Sequence, residues 1–554
     1  MPYTFTYTIN GGSNQTVTTT SGNSVTVGVP TGAPGPFVYA LVSVSDANGC
    51  TQTQSGTVTV TVNPLPTANE QITGNPVCLG GTSPSVTFTG TAGTAPFTFS
   101  YNINGGATQT ATTTSGNSIT ISAPTGTAGN FIYNLLSVQD ANTCSQAQSQ
   151  SVTVTINPVP TVTNSPLTQM ICSGGSTSLV TLTSSVVGTT FTWTATATAG
   201  VSGFTASGTG TIPVQTISTT GTTLGTVTYA ITPTAGSCPG AVTNYTVLVN
   251  PVPTVTNSPL TQTICSGGST ALVTLTSNVA GATFAWTATA TGGVSGFTAS
   301  GTGTIPVQTI STTGTTQGTV TYAITPTATG CPGSVTNYTV LVNPVPTVTN
   351  SLLTQTICSG GNTTLVTLTS NVAGASFAWT ATATAGVSGF TASGTGTIPV
   401  QTISTTGTTQ GTVTYAITPT AGSCPGAVAN YTVLVNPVPT VTNSPLTQTI
   451  CSGGSTTLVT LTSNVGTATF AWTATATAGV SGFTANGTGT IPVQTISTTG
   501  TTQGTVTYAI TPTATGCPGA VTNYTVLVNP LPTITSATAT PAAICSGSSS
   551  NLVV

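Results

Sequence analysis

Lysine, arginine and histidine are absent from all 554 residues, and carboxylates are almost absent, with only Asp46, Glu70 and Asp140. Phosphate recognition rests on cationic side chains, so no nucleic acid is expected as a partner. Attraction to anionic membrane surfaces fails for the same reason. General acid–base catalysis needs a group that titrates near its working pH, and three acids remote from one another in sequence do not supply one. The chain is therefore expected not to be an enzyme, and no cofactor is expected. Isopeptide cross-links need lysine and cannot form. No apolar run approaches the roughly 20 residues that cross a bilayer, so membrane insertion is not expected either. The amino terminus, MPYTFTYTINGG, has neither the basic nor the apolar segment of a signal peptide.

What is present is a repeat. Asn-Pro-x-Pro begins at Asn63, Asn157, Asn250, Asn343, Asn436 and Asn529, a period of 94 once and then 93 four times. Periods of that length describe tandem domains rather than a short-repeat solenoid. The division follows: 1–66, the back half of one repeat; 67–160, a complete repeat of a first subtype; 161–253, 254–346, 347–439 and 440–532, four near copies of a second subtype; and 533–554, the start of another. A chain that begins and ends inside repeats is expected to be a piece of a longer one.

Each repeat alternates apolar or aromatic residues with Thr or Ser, the period-two signature of strands with one buried face. No helical periodicity appears. In the 254–346 copy, strands are expected near Gln262–Cys265, Leu272–Ser277, Thr283–Ala290, Val307–Thr312, Thr319–Pro326 and Thr336–Asn343, with a further edge strand inside 291–305. Six or seven short strands in about 90 residues fit an all-β, immunoglobulin-like sandwich. Thr suits the outer faces, being β-branched like Val yet able to hydrogen-bond with water. Asn-Pro-Val-Pro and Asn-Pro-Leu-Pro fix φ at two positions and favour extended connections. Successive sandwiches are thus expected to stand end to end as a rod.

Twelve cysteines recur with the repeat, and 144−78, 238−172, 331−265, 424−358 and 517−451 all equal 66. Without His or a Cys-x-x-Cys pair, zinc is a poor reading and disulfides in an oxidising, extracellular compartment the better one. The candidates are Cys78, Cys144, Cys172, Cys238, Cys265, Cys331, Cys358, Cys424, Cys451 and Cys517. Pairing within each repeat (78–144, 172–238, 265–331, 358–424, 451–517) leaves Cys50 and Cys545 single. In a sandwich, however, the turn after the first strand and the hairpin before the last lie at opposite ends, too far apart to bridge. Pairing across joints, 50–78, 144–172 and onward, would use all twelve. Both remain open at this level.

Trp193, Trp286, Trp379 and Trp472 each follow a Phe two residues earlier and share its face. They read as core aromatics of a third strand rather than as sugar-stacking platforms. The loop GGVSGFTASGTGTI is glycine-rich but lacks the lysine of a phosphate cradle; its Phe297 reads as a plug on the edge of its own sandwich. Asp46 and Asp140, in DANGC and DANTC, read as turn formers accepting backbone N–H bonds. The later repeats lack the Asp, so no metal series is expected. With so few titrating groups, the melting temperature should be nearly constant from about pH 4 to 8.

Together, ICSGGST…VTLTS…FAWTATA…ITPTA…CPG…NYTVLVNPVP resembles the PKD-like and immunoglobulin-like repeats of giant surface adhesins of gliding bacteria, and TYTINGG…DANGC…VTVTVNPLP is similar to a second repeat type of those proteins. The resemblance covers nearly the whole chain. It implies export by the type IX secretion system, an extracellular, cell-surface location, and a filament acting in adhesion and gliding motility. The sorting domain of such proteins is not among these residues. Neighbouring repeats of the same chain are the expected partners, with other copies of the filament or surface glycans beyond them. The alternative is a passive spacer presenting a distal catalytic or glycan-binding domain.

Overall fold

In the 347–439 repeat, alternation of Thr with Val, Tyr and Ile sets the longest strand. Gly411–Ala421 reads GTVTYAITPTA and alternates buried and half-buried residues from end to end. A strand with this pattern sits in the middle of a sheet with one face on the core. The elements of this repeat are labelled β1 Thr354–Cys358, β2 Gly361–Asn362, β3 Ser376–Ala383, β4 Val387–Ser388, β5 Ser393–Thr395, β6 Thr402–Thr405, β7 Gly411–Ala421, β8 Cys424–Pro425 and β9 Ala429–Asn436. One sheet has the order β1-β9-β7-β3-β5, with β8 closing a hairpin on β7, and the second has β2-β6-β4. All pairings are antiparallel except β1 on β9, which is parallel, with Thr354 opposite Thr432 and Cys358 opposite Asn436.

This computed structural model describes residues 1–554 except Pro541, Ala542, Ile544, Cys545 and Ser550, together with the side chain of Leu552. Among the described residues every regular element is a strand. Two compact units are present, Met1–Val252 with Ala328–Cys331, and Pro253–Thr327 with Pro332–Val554. Each of the four second-subtype repeats has the same pair of sheets, and the 67–160 repeat has a six-stranded sheet facing a three-stranded one. Residues 4–62 form a five-stranded sheet. One face of it is an open apolar groove lined by Phe5, Tyr7, Val17, Tyr39, Leu41 and Val58. In 533–554, Thr538–Thr540 pairs with Asn551–Val553, while Cys545 lies outside the described residues.

Five cores match this division. That of the 347–439 repeat is built on Trp379, Ile398, Ile403, Val413, Tyr415, Ile417, Tyr431, Val433 and Val435. Burying each large side chain contributes roughly 1.5–3 kcal/mol. In the 254–346 copy the strands run Thr261–Cys265, Thr283–Ala290, Thr309–Thr312, Gly318–Ala328 and Thr336–Asn343, with Val294–Ser295 and Ser300–Thr302 in the glycine-rich stretch. The strand expected over Leu272–Ser277 is reduced to two isolated bridges, Val273 to Ile305 and Val255 to Ser277. Its two ends bridge different partners, so no continuous ladder forms.

Candidate functional site

The parallel pairing of β1 with β9 decides where the cysteines go. Cys358 ends β1 opposite Asn436, where the chain leaves for the next repeat. Its CSGG turn is held there by Ser359 N–H donating to the Asn436 carbonyl and Gly360 N–H to the Ile403 carbonyl, each at 2.8 Å. Cys424 opens β8, opposite Ala421 at the other end of β7. Ten strand residues of about 3.3 Å separate the two ends, so Cys358 and Cys424 lie roughly 30 Å apart, against the 4.4–6.8 Å that a disulfide requires between Cα atoms.

Each bonded cysteine therefore finds its partner in an adjacent repeat. The bonds are Cys78–Cys238, Cys172–Cys331, Cys265–Cys424 and Cys358–Cys517, with Cα atoms 5.5–5.6 Å apart and sequence separations of 159 or 160. This corrects both pairings considered from sequence. Within-repeat pairing fails because the sulfurs lie at opposite ends. Pairing each hairpin cysteine with the first cysteine of the following repeat fails because it joins the two most distant ends of neighbours. The observed bond joins the exit end of one repeat to the entry end of the next. Cys144 and Cys451, both disulfide candidates, are unbonded, as is Cys50.

The joint carries two further devices. The hairpin turn Cys-Pro-Gly closes by Gly426 N–H donating to the Pro419 carbonyl at 2.8 Å, and the Pro346 carbonyl of the linker lies so close that a methyl group on Gly426 would overlap it. The Asn of Asn-Pro-Val-Pro is a fastening as well as punctuation. Asn436 is buried; its amide donates to the Thr515 carbonyl of the following repeat at 3.2 Å and accepts from Gln410 Nε2 at 2.7 Å. Asn157 makes the equivalent bond to the Gly236 carbonyl. The sequence reading missed this role, though the invariable Asn before each Pro-x-Pro was its signal.

The aromatics lie inside. Trp193, Trp286, Trp379 and Trp472 are each 3% exposed and stand edge-on to Tyr229, Tyr322, Tyr415 and Tyr508, with ring centroids 5.4–5.5 Å apart. The indole of Trp379 covers Gly394 on β5, where a side-chain methyl would overlap the ring. Phe297 is half-buried against its own core.

A buried polar node also escaped the sequence reading. Gln401 Oε1 accepts from Tyr415 Oη at 3.1 Å and from Thr391 N–H, while Gln401 N–H donates to Thr363 Oγ1 at 2.9 Å. Burial pushes the Tyr415 phenol upward, the Gln401 bond pulls it down, and Tyr431 nearby pushes it up again; the net direction is up.

The three carboxylates differ. Asp46 accepts from the N–H groups of Asn48 and Cys50. Asp140 is buried, which alone would raise its pKa, but bonds from Thr94, Cys144 and Asn142 hold the carboxyl below its ordinary value. Both are the turn formers that the sequence indicated. Glu70 lies on the inward face of Thr67–Thr73, opposite Phe88, and neither carboxyl oxygen has a partner. Burial pushes its pKa up to about 7. A buried acid with a raised pKa works against the flat pH profile expected from sequence, in the 67–160 repeat that holds it.

A family model described as "PKD-like domain" matches residues 169–253, 262–346, 355–439 and 448–532, more than half of the chain. No curated protein matches. Similar solved structures include Sidekick-1 immunoglobulin domains 1–5, at 11% identity over 84% of this chain and 99% of that one, TM-score 0.21. The N-terminal eight immunoglobulin domains of Down syndrome cell adhesion molecule match at 11% identity over 96% and 69%, TM-score 0.27. Invasin, a bacterial integrin-binding protein, matches at 17% identity over 71% and 82%, TM-score 0.23.

Proposed function

Because the chain belongs to the PKD-like domain family, we propose that it is a non-catalytic, load-bearing shaft of an extracellular adhesion protein. The observation that carries this reading is the bond made at successive joints: the exit end of one repeat is tied covalently to the entry end of the next. Such bonds form and persist in oxidising surroundings, which supports a place outside the cytoplasm. A covalent tie at each joint passes tension from repeat to repeat even when one of them loosens, which suits a load-bearing role. The composition agrees, since no His, Lys or Arg is available for proton transfer or for anchoring an anionic substrate.

The finer reading, a cell-surface filament of the gliding-motility type exported by the type IX system, rests on the resemblance of the repeats. Neighbouring repeats are its first partners, with other filament copies or surface glycans beyond. The competing role is a passive spacer. Cells carrying the protein with residues 67–532 exchanged for an unrelated flexible linker of equal extended length separate the two. A load-bearing shaft predicts loss of attachment under flow; retained attachment would favour the spacer.

A further inference from the structure

We infer that residues 78–517 form a two-track covalent ladder in which no single backbone cleavage separates the two ends, so that the segment outlasts extracellular proteolysis as one object. The inference concerns the bonds alone and holds whether or not adhesion is the role.

The four disulfide loops overlap in sequence. Cys78–Cys238 is still open when Cys172–Cys331 begins, and Cys265–Cys424 and Cys358–Cys517 continue the stagger. Every peptide bond from Cys78 to Cys517 therefore lies inside at least one loop. The bodies 172–238, 265–331 and 358–424 lie inside two. The connecting segments 238–265 and 331–358 lie inside one.

Traced as covalent paths, the stagger makes two tracks. One runs from Cys78 across to Cys238, along the chain to Cys265, and across to Cys424. The other runs from Cys172 across to Cys331, along to Cys358, and across to Cys517. The connecting segments are short, since 265−238 and 358−331 both equal 27. The bodies are rungs between the tracks. Within-repeat disulfides would leave every linker a single point of failure, and neither pairing weighed from the sequence would produce a ladder.

The composition narrows the threat in the same direction. Proteases that need Lys or Arg have no site. Leu352, an apolar side chain 78% exposed, lies in a connecting segment spanned, among the described residues, by Cys265–Cys424 alone.

The test uses the full chain with a single specific-protease recognition sequence inserted at one of two exposed turns. The first lies between Ser351 and Leu352, in a connecting segment; the second lies between Ala373 and Gly374, in a body. Cleaved protein is run on denaturing gels with and without reductant. The ladder predicts that both cut forms keep full-length mobility until reduced, and then each gives two fragments. Release only from the Ser351 cut would show within-repeat pairing and overturn the ladder. Release only from the Ala373 cut would show pairing of Cys331 with Cys358 and overturn it equally, and release from both would show that the bonds are absent. A second variant sharpens the result. Cys424→Ser removes the only bond spanning the Ser351 cut, so that cut must now release fragments without reductant, while the Ala373 cut, still spanned by Cys358–Cys517, must not. If an insertion prevents folding, non-reducing peptide analysis of the uninserted chain decides the matter: a partner for Cys265 other than Cys424 refutes the ladder.

Discussion

Pulled from its ends, the oxidised chain should gain little length from the repeats tied between Cys78 and Cys517, and the 347–439 repeat shows why. Its neighbours hold Cys265 and Cys517, which are bonded to Cys424 and Cys358. If this repeat alone loses its strands, the load passes from Pro346 along 12 residues (358−346) to Cys358 and across to the next repeat. At about 3.5 Å per residue that path stretches to about 42 Å. The folded repeat already spans about 35 Å, the length of the 11-residue β7 at about 3.3 Å per residue. The net gain is therefore below about 20 Å. Once reduced, the same event frees 93 residues, about 325 Å of chain, a gain of about 290 Å. Single-molecule stretching of the full chain, with handles fused at its ends, measures this directly. Steps of about 290 Å should appear only with reductant. Bonds closed within each repeat would instead leave 27 free residues (93−66) and steps of about 60 Å in the oxidised protein. Steps of that size would refute the cross-repeat assignment.

Other outcomes follow from buried groups. Glu70 has a raised folded pKa, so its favourable protonated form is fully present below about pH 4.5 and its contribution is lost as pH rises to about 7; the full shift corresponds to about 3 kcal/mol, which solvent screening reduces to on the order of 2 kcal/mol at neutral pH. Glu70→Gln should therefore slow amide exchange in the 67–160 repeat at pH 8 and hardly change it at pH 4, while equal protection of wild type at both pH values would refute the burial argument. The repeats from 161 to 532 contain no carboxylate and should keep constant protection across that range. Their buried tyrosines, with phenols raised above the ordinary value of 10.0, should lose stability only as pH climbs beyond it. Gly394→Ala forces a methyl into the Trp379 ring and should destabilise its repeat by about 1–3 kcal/mol, read as faster amide exchange in β3 and β5. Gln401→Leu strands the Tyr415 hydroxyl and the Thr391 N–H and should cost about 2–3 kcal/mol by chemical denaturation.

The sandwich was legible because Thr alternates with Val, Tyr and Ile, and a face repeated every two residues leaves little choice of secondary structure. The tryptophans were legible by the same rule, through a Phe two positions earlier. Cysteine pairing was legible only in part. That Cys265 and Cys331 sit at opposite ends follows from strand order, but the local sequence of Thr261–Cys265 carries no sign that it runs parallel to Thr336–Asn343. That pairing turns the first cysteine toward the following repeat and fixes the partner. Leu272–Ser277 alternates like a strand yet makes only isolated bridges, because register with two different partners is a property of the whole sandwich. Nothing in the local sequence marks Gln401 or Asn436 as buried, since polar side chains are usually exposed; their burial depends on partners far away in sequence. Glu70 defeats alternation outright, a charged type at an inward position.

The most direct measurement of the central claim is a non-reducing peptide map of the native chain, made with a protease that does not require Lys or Arg. Four linked pairs are expected, Cys78 with Cys238, Cys172 with Cys331, Cys265 with Cys424 and Cys358 with Cys517. Cys265 linked to Cys331, or Cys331 linked to Cys358, would contradict that claim.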